Sequence, residues 1–196
     1  MTQPDRRRRT VNEDGGNRVL SRGQNRLVSE PIAEQPYMPD YGVGGSDWRP
    51  LPWSWAAERL ISYRSFWVVT ASLQGRPHAM PVWGVWNDRT HRFGFSCGNL
   101  ARKAVNIRAN PQVVVTGADV VEAISIEGTA SEITATAEMD RWVADYIAKY
   151  GDDAPDPDFF SRYAFFEVMA QQAFAVIDRE GEFSTRATRW RFPEEV

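Results

Sequence analysis

Apolar residues recur along the chain with two periods, and each period marks a type of element. In "SWAAERLISY" Leu60 and Ile61 share a face behind Ser54, which predicts a short helix with Ser54 as N-cap and Glu58 in its first turn. "SFWVVTASL" is rich in β-branched and aromatic residues and predicts a strand. "QGR" turns the chain, "PHAMPVWGVW" returns as a second strand, and "NDRT" leads into a third, "HRFGFSC", with His91, Phe93, Phe95 and Cys97 on one face. These three form an antiparallel meander. "NLARKAVNIRANP" predicts a helix with Leu100, Ala104 and Ile107 on one side, stopped by Asn110–Pro111. "QVVVTG" and "EAISIEGTASEIT" predict further strands.

In "TAEMDRWVADYIAKYG" the residues Met139, Trp142, Val143, Tyr146, Ile147 and Tyr150 recur at helical spacing, with Thr136 as N-cap and Gly151 beyond the end. "DDAPDPD" is a loop, "FFSRYAFFEVM" fits helix or strand, and "AFAVIDREGEFSTRATRWRF" predicts a closing hairpin. Six or so antiparallel strands with two or three helices predict a small barrel with helical decoration. Before this regular part, residues 31–53 are dense in Pro, Gly and aromatics and predict an ordered, irregular wrap.

Composition narrows the class. Of 196 residues, 42% are hydrophobic and eight are Trp, enough for one domain with a real core. The first 26 residues hold seven Arg against Asp5, Glu13 and Asp14, with few large apolar residues. Residues 1–30 are therefore predicted to be a disordered basic tail. The Arg6–Arg9 run has no apolar segment after it, so it is not read as an export signal. With a net charge of −3, nucleic acid is not the expected partner. No run approaches the roughly 18 apolar residues of a membrane-spanning helix. A cytoplasmic protein is expected.

The sequence lacks G-x-S-x-G, H-E-x-x-H, a P-loop and a Rossmann glycine pattern. His78 and His91 are the only histidines, too few for most metal sites, and Cys97 is the only cysteine, with no evident general base. Two features remain. Arg102 and Lys103 fall in the first turn of a helix, where cations oppose the helix dipole unless an anion docks there; the alternative is a solvated basic pair. The strand from His78 to Trp86 is apolar on both faces, so its outer face must be covered by a helix, a partner subunit or a flat ligand. Pro81 within it removes a ladder donor and marks an edge or an opening. An anion clamp with apolar walls and no acid–base pair suits a cofactor that brings its own chemistry.

"FWVVTASLQGRPHAMPVWGVW", "FGFSCGNLARKAVNIRANPQVVV" and "ATRWRF" resemble the pyridoxamine 5′-phosphate oxidase-like split β-barrel superfamily. Within it they are most similar to the flavin/deazaflavin-dependent oxidoreductases of the B class. The resemblance spans roughly Ile32–Phe192. It implies a mainly β (α+β) fold, a split β-barrel of the FMN-binding kind with short peripheral helices over residues 31–196. It also implies a homodimer with cofactor sites at the interface. The ring would lie against Met80, Pro81, Val82 and Trp83, and the phosphate near Ser96, Cys97, Ala101, Arg102 and Lys103.

The chain departs from the oxidases of this superfamily. Met80 and Val85 stand roughly where those carry Arg and Lys, Ala101 replaces a Ser, and Val105 replaces an Arg. The expectation shifts from FMN to the deazaflavin coenzyme F420, whose anionic tail has Arg102, Lys103 and Arg108 to meet it. The implied activity is hydride transfer to or from an unsaturated small organic substrate, with Trp86 shaping the substrate side and no catalytic residue assigned. The alternatives are an FMN-dependent oxidoreductase of the pyridoxamine 5′-phosphate oxidase type and a non-catalytic binder of a cofactor, haem or another tetrapyrrole.

Overall fold

The computed structural model describes residues 29–193, and the basic tail expected over residues 1–30 lies outside them but for its last two residues. Along the chain come β1 (Ile32–Glu34), α1 (Trp53–Ser62), β2 (Ser65–Ala71), β3 (Pro77–Asn87), β4 (Arg92–Cys97), α2 (Arg102–Ala109), β5 (Gln112–Gly117), β6 (Glu122–Glu132), α3 (Thr136–Tyr150), α4 (Pro157–Arg162), β7 (Ala164–Ile177), α5 (Phe183–Arg186) and β8 (Thr188–Arg191). The order β7-β4-β3-β2-β5-β6 closes through β6–β7 pairing into a six-stranded antiparallel barrel. β8 and then β1 extend the sheet from β7. This is the small antiparallel barrel with helices that the apolar alternation predicts, and the split β-barrel that the resemblance implies.

Period-two alternation fills the barrel. Phe66, Phe93, Phe95, Ile126, Phe166 and Val168 are almost fully buried inside it, with the Phe66 and Phe93 rings 4.7 Å apart edge to face. Each such side chain contributes about 1.5–3 kcal/mol by burial. A second cluster lies outside the barrel, where Trp142, Tyr146 and Tyr150 of α3 pack on Val85 and Phe165 with Phe160 of α4. This is the cover that the doubly apolar strand requires. A helix supplies it for Val85 and stacks Tyr150 on Trp83, while Trp83, Ala79, Met80 and Pro81 stay exposed.

The strand interrupted by Pro81 has two different neighbours. β3 pairs with β2 from Pro77 to Trp83 and with β4 from Gly84 to Asn87. Pro81, opposite Trp67, thus sits where β3 has a described partner on one side only. A residue without a backbone N–H is tolerated at such an edge. The barrel is split at this place.

Several boundaries differ from the sequence expectation. α1 begins at Trp53, with Pro52 in the N-cap position and no side-chain cap, so Ser54 lies inside the first turn. Trp53 is drawn in by burial and by its indole N–H donating to Asp88 Oδ1 at 2.9 Å. Leu100 is 90% exposed and precedes α2, because the Ala101 N–H turns back to the Gly98 carbonyl and the helix starts after it. Thr136 is the first helical residue, Ala135 holding the cap position. The ambiguous "FFSRYAFFEVM" divides at Tyr163, α4 before it and β7 after it, and the closing hairpin carries α5 in its connection.

Candidate functional site

Strand register decides what faces the split. His78, Met80 and Val82 lie opposite Thr70, Val68 and Phe66, all buried, so all three are on the inner face of β3. Val82 is sealed in the core, whereas Met80 is 44% exposed and His78 half-buried, because β4 does not pair with this end of β3. α2 enters here, anchored by Asn106 Nδ2 donating to Thr70 Oγ1 at 2.9 Å. Its buried face carries Lys103, Ala104, Asn106 and Ile107.

The electrostatics of the place are one-sided. Lys103 is only 9% exposed, and neither it nor Arg102 forms a hydrogen bond or ion pair by side chain among the described residues. The Nδ1 of His78 is buried and has no hydrogen-bond partner. Burial pushes the His78 imidazole below its usual pKa, and the charges of Arg102 and Lys103 push it further down. A neutral imidazole and two cations thus share one place without a counter-charge. Ala101 at the N-cap offers no side-chain acceptor to the first turn of α2. Backbone donors there remain open to a ligand anion.

The structure sorts the other residues singled out in the sequence. Ser96 spends its hydroxyl on the Ala164 carbonyl at 3.0 Å. Cys97 is buried beside Lys103 and Arg108, and burial raises its thiol pKa, so it is a protonated wall residue. Arg108 is committed to Glu132 through two nitrogens at 2.6 and 2.7 Å and to the Asn99 carbonyl, so it does not serve as a free surface cation. Met80 and Val82 face inward while Pro81 and Trp83 alternate to the outer face. The four side chains therefore cannot all line one ring, and what they share is the backbone at the open edge of β3. Trp83 stacks on Tyr150 with centroids 5.0 Å apart, and the Arg64 guanidinium lies over its ring. Trp86 is buried, its indole N–H donating to Asp88 at 3.1 Å, and it faces a different cleft.

That cleft, of about 680 Å³, lies between β3, the end of α1 and α3. Lys149 lines it and donates from Nζ to the Gly84 carbonyl at 2.8 Å. Burial lowers the pKa of its amine from 10.5 to about 8. The sequence reading passed over Lys149, although it stands three residues after Tyr146 and seven after Trp142, on the apolar stripe itself. It weighed His78 against a metal site, and the absence of β4 beside it is what gives it an opening. Among the described residues, no group of three or more His, Cys, Asp or Glu is placed to hold a metal ion. No described helix is long and apolar enough to cross a membrane.

Comparison with known proteins bears on the fold. The heme storage protein HutZ of Vibrio cholerae superposes with a TM-score of 0.54 at 19% identity, over 62% of this chain and 92% of that one. A FAD-binding protein of Mesorhizobium loti gives 0.52 at 16%, over 71% and 95%. A conserved hypothetical protein of Mycobacterium tuberculosis gives 0.55 at 17%, over 78% and 94%. At such identities the likeness is one of fold. A search of curated proteins finds no match. The sequence profile described as pyridoxamine 5′-phosphate oxidase matches residues 56–177, from α1 to the end of β7 and so around the whole barrel. The chain belongs to the pyridoxamine 5′-phosphate oxidase family.

Proposed function

We propose that the chain binds a phosphate-bearing cofactor of the flavin type, coenzyme F420 rather than FMN, at the open edge of β3. On this reading it is an oxidoreductase that transfers hydride to or from an unsaturated small organic substrate. The observation that carries the reading is the pair Arg102 and Lys103, without counter-charge, beside the unpartnered Nδ1 of His78. Such a group fits an anion. Arg102, Lys103 and the first N–H groups of α2 hold the phosphate, and neutral His78 adds a hydrogen bond. Met80 and the backbone from Met80 to Trp83 form the apolar rest for the ring and keep water from one of its faces. When bound, the cofactor supplies the hydride chemistry, and the protein's part is orientation in a desolvated site.

The preference for the deazaflavin follows from what β3 and the start of α2 lack. Met80 offers no charge to a compact flavin phosphate, Val85 is buried under α3, and Ala101 has no hydroxyl. Fluorescence titration with F420, FMN and hemin in parallel tests the reading. Micromolar or tighter binding of F420 with weaker FMN binding is the expected result. Tight FMN binding in its place makes the protein a flavin enzyme, and binding of hemin alone makes it a tetrapyrrole carrier. The FAD-binding and heme-storage descriptions of its structural neighbours make both arms worth running.

A homodimer belongs to the same reading. Trp67, Pro81 and Trp83 leave apolar surface exposed on the outer face of β2 and β3. A second copy covering it should bury more than about 1,000 Å². Light scattering at micromolar concentration should give twice the chain mass, and a monomer mass would refute the interface.

A further inference from the structure

Of the chain's 23 basic residues, 21 are Arg and two are Lys, at positions 103 and 149. A guanidinium keeps its charge at every accessible pH, whereas an amine can lose it when buried. Lys149 has the surroundings for that. Its Nζ reaches in from α3 to the Gly84 carbonyl and lies 4.8 Å from the centre of the Phe66 ring; both contacts favour the ammonium, and burial outweighs them. No carboxylate among the described residues pairs with it. Its pKa of about 8 leaves on the order of a tenth of the amine neutral at pH 7, against less than about a thousandth for an ordinary lysine.

The charged groups around it are otherwise engaged. Asp145, on α3 itself, accepts from Asn87 Nδ2, and Asp88 accepts from the indoles of Trp53 and Trp86. Arg64, before β2, pairs with Asp153, and Tyr150 Oη is held by backbone groups of Gly84 and Arg64. Arg89, in the turn after β3, has no ion pair among the described residues. The cleft is thus apolar at Ile61, Val85 and Trp86, with guanidinium groups at its edge and an amine in its wall.

We propose that Lys149 is a nucleophilic amine serving this cleft, and that the cleft takes small aldehydes and 2-oxo acids, which condense with it. The nitrogen lone pair forms a bond to the carbonyl carbon. The carbonyl oxygen leaves as water, carrying the two amine hydrogens, and an imine remains; no oxidant or reductant is needed. The Gly84 carbonyl also lies 2.9 Å from the Tyr150 hydroxyl, which it shares with the Arg64 carbonyl, so Lys149 is not its sole donor. Arg89 favours a carbonyl compound that also bears a carboxylate. This inference is independent of the cofactor reading, since it concerns a different cleft.

The test is imine trapping on the full chain. The protein is incubated with glyoxylate or with propanal from pH 7 to 10, reduced with borohydride, and its peptides are mapped by mass. Glyoxylate should label Lys149 at least about tenfold faster at pH 7 than it labels Nα-acetyl-lysine, with a half-point near pH 8. Propanal should label it more slowly, and Lys149→Arg, which keeps the charge, should lose the label with the fold intact. Label confined to Lys103 and the N-terminus, or labelling of Lys149 no faster than that of the free amino acid, would overturn the proposal. Equal rates with the two probes would overturn the preference for an anion.

Discussion

Replacing Lys103 by methionine is expected to weaken binding of the deazaflavin coenzyme by roughly 10- to 150-fold while leaving the fold intact. Methionine is the informative substitution because the lysine stem is itself buried, and an unbranched apolar chain keeps that packing. What is lost is the ammonium. A charge-assisted hydrogen bond contributes about 1.5–3 kcal/mol, and about 1.4 kcal/mol is a factor of ten in affinity. Folding should be unaffected or slightly improved, since a cation in the first turn of α2 opposes the helix dipole when no ligand is present. Added salt should weaken binding to the parent more than binding to the variant, because the missing contact is ionic. Titrations of both proteins at two salt concentrations read the two effects together. Equal dissociation constants and equal salt slopes would mean that Lys103 holds no phosphate and that the cofactor lies elsewhere.

Gly84→Ala is expected to cost about 3 kcal/mol of stability, the largest effect of any single methyl group in the stretch "GRPHAMPVWGVW". A Cβ built there would lie 2.1 Å from Phe93 Cζ and 3.0 Å from the Gly94 carbonyl oxygen. Phe93 cannot retreat, because its ring is enclosed by Phe66 on one side and Phe95 on the other. Overpacking of a filled core costs about 1–3 kcal/mol and more where nothing can shift. The same residue ties the barrel to α3, since its N–H and carbonyl both meet Tyr150 Oη and its carbonyl also meets Lys149. In a chain of this size each kcal/mol moves the melting temperature by about 2–4 °C, so a loss of roughly 6–12 °C should be seen by thermal denaturation. An unchanged melting temperature would show that Phe93 has room to move and that the barrel is looser here than its packing indicates.

The two sites were legible in the sequence to different degrees. Arg102 and Lys103 stood out because charge in the first turn of a helix runs against a local rule, and local rules need no partner to be read. Their neighbour His78 did not stand out. Its alternation put it on one face with Met80 and Val82, but which face is the inner one and whether it is sealed depend on strand register and on where β4 ends, which the sequence does not state. The resemblance sets the ring against the strand from Met80 to Trp83; along it the pleat sends Val82 and Trp83 to opposite sides, and Trp83 is the exposed one. Arg108 was expected to be free because its partner, Glu132, is 24 residues away on another element.

Composition and periodicity determined the class of the molecule. Strands of period two, short helices and turn residues between them leave few arrangements other than a small antiparallel barrel, because each apolar face must be buried against another. Pro81 by itself marked a strand edge, since the missing N–H is a covalent fact. The tertiary structure decided what lies at that edge. It closed the barrel through β6 and β7, residues far apart in sequence, and it left β3 half-paired. It also chose α3 to cover Val85, which placed the amine of Lys149 against Gly84. Apolar burial is non-directional, so a sequence states which residues must be covered; which residues cover them, and which polar groups are carried along, depends on long-range register and helix docking.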